Sequence, residues 1–106
     1  MQRYFILATV YDRRKSFYGK AKVYVLENGE LILESYNSPV AVFKNNTLEV
    51  FGQWECSQTT LRHVKEFARQ NHVFVNQKKD LLQYQTDKYD NCFNIFDIEN
   101  SLKFGD

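Results

Sequence analysis

The chain has 106 residues, with 14 Lys and Arg against 13 Asp and Glu, a formal charge of +1. That length suits a single domain, and 43% hydrophobic residues, nine Phe and seven Tyr among them, are enough for a core and exclude a disordered chain. A charge so near zero argues against a basic nucleic-acid module and against a wholesale acidic mimic of DNA, although it leaves local patches open.

Residues 4–11 are rich in β-branched and aromatic types and predict a first strand, broken at Asp12-Arg13-Arg14-Lys15. Asn28-Gly29, between segments 21–27 and 30–36, predicts a hairpin with a type I′ turn, whose two central residues both need positive φ. A two-residue loop sets Leu26 opposite Leu31 and Tyr24 opposite Leu33 on the expected core face, with Val25 and Ile32, and Val23 and Glu34, on the other. Asn45-Asn46 predicts a second hairpin, because Asn tolerates the left-handed conformation, with Phe43 opposite Leu48 and Ala41 opposite Val50. Pro39 cannot donate to a ladder, so Asn37-Ser38-Pro39 reads as the turn between the two hairpins.

Ser57 is a good N-cap for a helix over residues 58–70 that ends near Asn71. Leu61, Val64, Phe67 and Ala68 form its apolar stripe, and Arg62, Lys65, Glu66 and Arg69 are expected on the solvent side, with Glu66 pairing Arg62 or Arg69. A shorter helix is predicted over 77–85 with Asn76 as its cap, and 91–98 reads as a further strand. The expected fold is therefore α+β: an antiparallel meander of about five strands with one main helix packed on it and a short second helix. The domain is single, with a core over 4–84 and an acidic, aromatic extension over 86–106.

Charge is unevenly spread. Residues 1–22 carry Arg3, Arg13, Arg14, Lys15, Lys20 and Lys22 against Asp12, a balance of +5, and residues 86–106 carry five carboxylates against Lys88 and Lys103, a balance of −3. Tyr11, Phe17 and Tyr18 interleave the basic segment, and loops that combine Arg and Lys with aromatic rings can hold a phosphate backbone while stacking bases. The competing reading is a solvated turn whose aromatics fold back into the core. A tail folded back onto this loop would cancel its charge.

His63 and His72 match no zinc spacing, and neither a Gly-rich phosphate loop nor a GxSxG elbow is present, so no metal or cofactor is expected. Cys56 and Cys92 are too few for a disulfide scaffold and read as buried free thiols. No apolar run nears the ~20 residues of a membrane span, and the first residues lack the apolar stretch of a signal peptide, which makes the cytoplasm the expected compartment.

Three segments carry a resemblance: residues 13–23, from Arg13-Arg14-Lys15-Ser16-Phe17-Tyr18-Gly19-Lys20; residues 35–41, Ser35-Tyr36-Asn37-Ser38-Pro39-Val40-Ala41; and Trp54 followed by residues 57–67 and Gln70-Asn71. Over roughly residues 4–84 the chain resembles a family of small proteins encoded by phages and mobile elements of Gram-positive bacteria. Some of those proteins are similar to type II-A anti-CRISPR proteins, which inhibit Cas9. The tail after Tyr84 departs from the pattern. The resemblance implies a non-enzymatic inhibitor acting in the host cytoplasm on Cas9 or on the Cas9–guide RNA complex.

An inhibitor that occupies the PAM-reading cleft must offer carboxylates to DNA-gripping arginines. The basic loop and helix face suit a different mode: interference with the guide RNA or its loading, or docking on an acidic surface of the effector away from that cleft. The expected contact residues are Arg13, Arg14, Lys15, Tyr18 and Lys20, extended by Arg62, Lys65 and Arg69. The alternative is an accessory protein that binds RNA or single-stranded nucleic acid directly. A third reading is a small metal-independent ribonuclease with His63 as base. A homodimer joined at an exposed sheet edge fits any of these.

Overall fold

The computed structural model describes residues 3–104, and of Phe104 the backbone alone. Gly105 and Asp106, the latter one of the acidic-tail carboxylates, lie outside the described residues. Five antiparallel strands follow the chain across one sheet: β1 (Arg3–Ile6), β2 (Ala21–Val25), β3 (Leu31–Ser35), β4 (Ser38–Lys44) and β5 (Thr47–Val50). Helices α1 (Gln58–Gln70), α2 (Lys78–Leu81) and α3 (Ile95–Phe104) complete an α+β fold.

The second hairpin forms as predicted. Asn45 and Asn46 both take positive φ, 50° and 59°, and Phe43 faces Leu48 while Ala41 faces Val50. The Asn28-Gly29 hairpin differs from the expectation. Gly29 N–H donates to the Leu26 carbonyl and Leu26 N–H donates to the Glu30 carbonyl, so the loop has three residues and only Gly29 among them has positive φ, 88°. Such a turn adds one residue to the loop, and the register moves by one: Val23 faces Leu33, Tyr24 faces Ile32 and Val25 faces Leu31. Because side chains alternate along a strand, the shift puts Tyr24 and Leu33 on opposite faces.

The turn between the hairpins is Tyr36-Asn37, with φ of 51° and 75°, rather than Asn37-Ser38-Pro39. Pro39 lies inside β4, opposite Glu34, where the register slips beside Leu33 and Glu34. A proline is tolerated there because the bulge and the end of β5 at Val50 demand no N–H from it.

Both faces of the sheet are covered. Val23, Leu33, Ala41 and Val50 line up across four strands beneath α1, joined by Leu61, Val64, Phe67 and Ala68 of the helix and by Trp54. On the other face Ile32 and Val42 pack with Leu26, Phe51, Tyr89, Ile95 and Ile98. Residues 91–98 are thus not a strand. Asn94 Oδ1 accepts the Asp97 N–H at 2.9 Å and Asp97 Oδ2 accepts the Phe93 N–H at 2.9 Å, a reciprocal cap that starts α3. Lys88 (2.6 Å) and the Tyr89 hydroxyl (2.8 Å) both reach the Glu49 carboxylate and tie the start of the tail to β5.

Residues 78–84 divide into α2 and one 3₁₀ turn, Leu82–Tyr84. The residue before α2 is Gln77 rather than the predicted Asn76, and the Asp80 carboxylate accepts both their N–H groups. Those two bonds hold the Asp80 carboxyl below its usual range. Cys92 is half-buried, whereas Cys56 is exposed, against the expectation of two buried thiols. No described helix is long and apolar enough to cross a membrane.

Candidate functional site

Helix α1 starts where the Ser57 hydroxyl accepts the Thr60 N–H at 3.1 Å. It ends at Asn71, with His72 in the left-handed region (φ 67°) and Val73 N–H returning to the Ala68 carbonyl. That termination turns residues 73–76 back along the helix. Arg69 then pins them, its Nε donating to the Val75 carbonyl at 2.9 Å and a terminal nitrogen to Asn76 Oδ1 at 3.3 Å.

Glu66 is the organising residue of the opposite wall. It is 1% exposed and makes no ion pair among the described residues, which corrects the expectation of a solvent-facing partner for Arg62 or Arg69. Its carboxylate accepts the backbone N–H groups of Val10 (3.0 Å), Tyr11 (3.0 Å) and Asp12 (2.8 Å), and the Gln70 side-chain amide at 2.6 Å. The same Gln70 amide donates to the Ala8 carbonyl. A carboxylate that receives several N–H donors satisfies backbone that has left the sheet. This is why β1 stops at Ile6 rather than running to Tyr11: the N–H groups a ladder would use are held by α1 instead.

Asp12 closes the loop further. Its carboxylate receives Arg62 at 3.1 Å and the Arg14 N–H at 2.8 Å. Between loop and helix lies an open groove lined by Tyr11, Asp12 and Arg13 on one side and Arg62, Lys65 and Arg69 on the other. Four cations therefore face two carboxylates, Asp12 and Glu66, both already engaged. Arg13 and Lys65 have no hydrogen-bonded or ionic partner for their side chains among the described residues.

The predicted contact residues divide. Arg13, Arg62, Lys65 and Arg69 are brought together in the groove. Arg14 and Lys15 follow Arg13 on the exposed loop and do not line it. Tyr18 and Lys20 sit apart: Tyr18, 74% exposed, and Gly19 both have positive φ at the tip of a turn closed by Lys20 N–H on the Phe17 carbonyl. The Lys20 carbonyl in turn accepts the Tyr36 N–H, which places this turn beside the β3–β4 hairpin.

Phe17 goes inward and, like Tyr36, packs against His63, the ring centroids lying 4.5 and 5.6 Å away. His63 is fully buried, with Nδ1 2.7 Å from the Ser35 hydroxyl and Nε2 unpartnered. Burial pushes its pKa down to about 4, with Arg14 adding to the effect and Asp12 opposing it. A histidine without exposed surface cannot serve as base to a substrate, so the geometry gives the ribonuclease reading no support. Among the described residues no group of three or more His, Cys, Asp or Glu is placed to hold a metal ion.

The described part of the acidic tail does not line the groove. Helix α3 packs on the face of the sheet opposite α1, where Glu99 shares a cleft with Arg3 rather than with the groove cations. Sequence reasoning overlooked Phe74, which contacts Tyr11 beside the groove. Its signal is the alternation Val73-Phe74-Val75, in which the two valines turn toward the core and Phe74 is left outside.

The chain belongs to a family of unknown function, DUF8033, whose model matches residues 5–86. The match spans the sheet, α1 and the groove, and leaves α3 outside. No curated protein and no solved structure matches the chain.

Proposed function

We propose that this protein is a stoichiometric binding module whose basic groove engages the phosphate backbone of RNA without turnover. The observation that carries this reading is the convergence of Arg13, Arg62, Lys65 and Arg69 on one groove whose loop wall is fixed by Glu66. A fixed wall presents its cations without the entropy of ordering a loop at the moment of binding. Asp12 is paired with Arg62 and Glu66 is buried, so the cations offered to a partner are Arg13, Lys65 and Arg69.

The resemblance in residues 13–23, 35–41 and 57–67 supplies the narrower proposal: the RNA is the guide of a type II-A Cas9, and the protein is a phage-encoded inhibitor acting in the host cytoplasm. A cationic groove favours engagement of the guide or its loading over mimicry of PAM DNA, which calls for presented carboxylates.

The test is to mix the purified protein with Cas9 before and after guide loading, with free guide RNA as control, and to ask which component is retained. Retention by free guide and by the loaded complex supports the reading. Retention by guide alone leaves the RNA-binding module and removes the inhibitor. Retention by none of the three overturns both. Arg13, Lys65 and Arg69, the three groove cations without a carboxylate partner, predict on single-stranded RNA a slope of log affinity against log salt of about −2. Joint replacement of Arg13, Arg14 and Lys15 by Ala removes one groove cation and two charges of the adjoining loop, and is expected to weaken binding at least ~10-fold.

A further inference from the structure

We infer that Tyr11 and Phe74 form a base-stacking corner at the side of the groove, so that the ligand is a single strand with unpaired bases rather than a duplex. The inference rests on the reading of the groove as a phosphate site and specifies what that site takes.

Phe74 is 68% exposed and Tyr11 47% exposed, yet neither hangs on a loose segment. Tyr11 is anchored through its own N–H on Glu66, and Phe74 lies between the left-handed turn at His72 and the two residues that Arg69 holds. Their rings meet at 6.1 Å between centroids and 88° between planes, an edge-to-face contact that leaves aromatic surface open to solvent.

Tyr11 lines the same groove as Arg13, Lys65 and Arg69. Cations and flat aromatic surface therefore lie side by side, Tyr11 within the groove and Phe74 against Tyr11, both held from behind by α1. A single-stranded nucleic acid repeats the complementary pair, one charge and one planar ring per unit, and its unstacked bases have free faces. A duplex hides those faces in its own stack and gains from the cations alone.

The experiment is fluorescence anisotropy with the full chain and end-labelled 12-residue probes: oligoadenylate RNA, an abasic strand of equal phosphate number, and a blunt RNA duplex, with a polyglutamate peptide as competitor. Oligoadenylate is expected to bind at least ~10-fold more tightly than the abasic strand, within the range that stacking of one or two bases on aromatic side chains supplies. Phe74→Ala, at a position outside the groove lining, is expected to lower oligoadenylate binding to the abasic level and leave abasic binding unchanged, and Tyr11→Ala is expected to lower oligoadenylate binding more than abasic binding. Both side chains are largely outside the core, and circular dichroism melts of the two variants check that the fold is retained.

Equal binding of the oligoadenylate and abasic strands, with both lost in Lys65→Ala, overturns the stacking corner and leaves the phosphate groove standing. Binding of neither strand overturns the groove and the corner together. A duplex bound as tightly as the single strand, or polyglutamate competing as well as unlabelled oligoadenylate, also overturns the corner, the second result pointing to an acidic protein as the ligand.

Discussion

Glu66→Gln separates two physical accounts of the groove because they predict opposite signs. If charge alone governs binding, removing a carboxylate from beside Arg62, Lys65 and Arg69 tightens the grip on a polyanion. If Glu66 acts by holding the loop, the same change loosens it. The carboxylate receives three backbone N–H groups and the Gln70 amide. A glutamine retains one carbonyl oxygen, which accepts at most two of these donors, and turns an NH₂ toward the rest. Two of the four bonds are lost, and Gln70 recovers one by turning its carbonyl to the new NH₂; hydrogen bonds to charged groups contribute about 1.5–3 kcal/mol each, so the net loss of one bond and of the charge on the others costs about 2–4 kcal/mol.

The loop can open locally without unfolding the sheet, so the loss is expected at its own amides first. Hydrogen exchange at Val10, Tyr11 and Asp12 should accelerate by ~100-fold, the equivalent of the middle of that range. Urea unfolding should show a smaller fall in midpoint, and RNA affinity should drop. Unchanged exchange at those three amides, or tighter RNA binding, would falsify the clamp.

Other predictions concern stability. His63 is neutral in the fold, with its pKa pushed down to about 4 from 6.5, so below pH 6.5 the unfolded chain takes up a proton that the folded chain refuses. Stability therefore rises with pH through this window and is expected to fall by about 2 kcal/mol from pH 7 to pH 5; urea midpoints in His63→Gln should lose that component, and an unaltered pH dependence would contradict it. Glu49 acts at lower pH: burial pushes its carboxyl up, the Lys88 and Tyr89 hydrogen bonds outweigh that, and its stabilisation is lost as the pH falls through its lowered pKa. Ile98→Ala removes a fully buried side chain of α3 and should cost about 2–5 kcal/mol in denaturant unfolding, whereas a near-neutral result would mean that α3 does not cover the sheet. Gly29→Ala meets no atom within 4 Å and should cost only the left-handed backbone term of about 1–2 kcal/mol. Gly52→Ala should cost more, because its Cβ would lie 3.3 Å from the Pro39 carbonyl oxygen, and equal thermal shifts for the two would refute that contact.

Much of the architecture follows from short-range chemistry that a sequence displays. The left-handed tolerance of Asn45-Asn46, the Ser57 hydroxyl and the spacing of Leu61, Val64, Phe67 and Ala68 each act within a few residues, and the hairpin and helix they imply are present. The first hairpin shows the limit of that logic. Asn28-Gly29 is compatible with two- and three-residue loops, and the side chains available to both faces of a covered sheet decide between them. Residues 91–98 misled for the same reason, since a short apolar run has no clear period and its helix depends on packing over Ile32 and Val42.

For the site, the order of residues along the chain supplies the ingredients: a basic, aromatic loop near the start, a cation-bearing helix and an acidic tail. Which of those charges meet was decided by the tertiary structure. Arg13 joins Arg62, Lys65 and Arg69 because Glu66, expected in solvent, turns inward to hold a loop more than fifty residues away in the chain. Tyr18 and Lys20 are carried off by their own turn, and Phe74 arrives from beyond the helix. The described part of the tail lies away from the groove because α3 is needed on the far face, where apolar side chains would otherwise meet water. Such pairings join residues distant in the chain, and no local propensity encodes them.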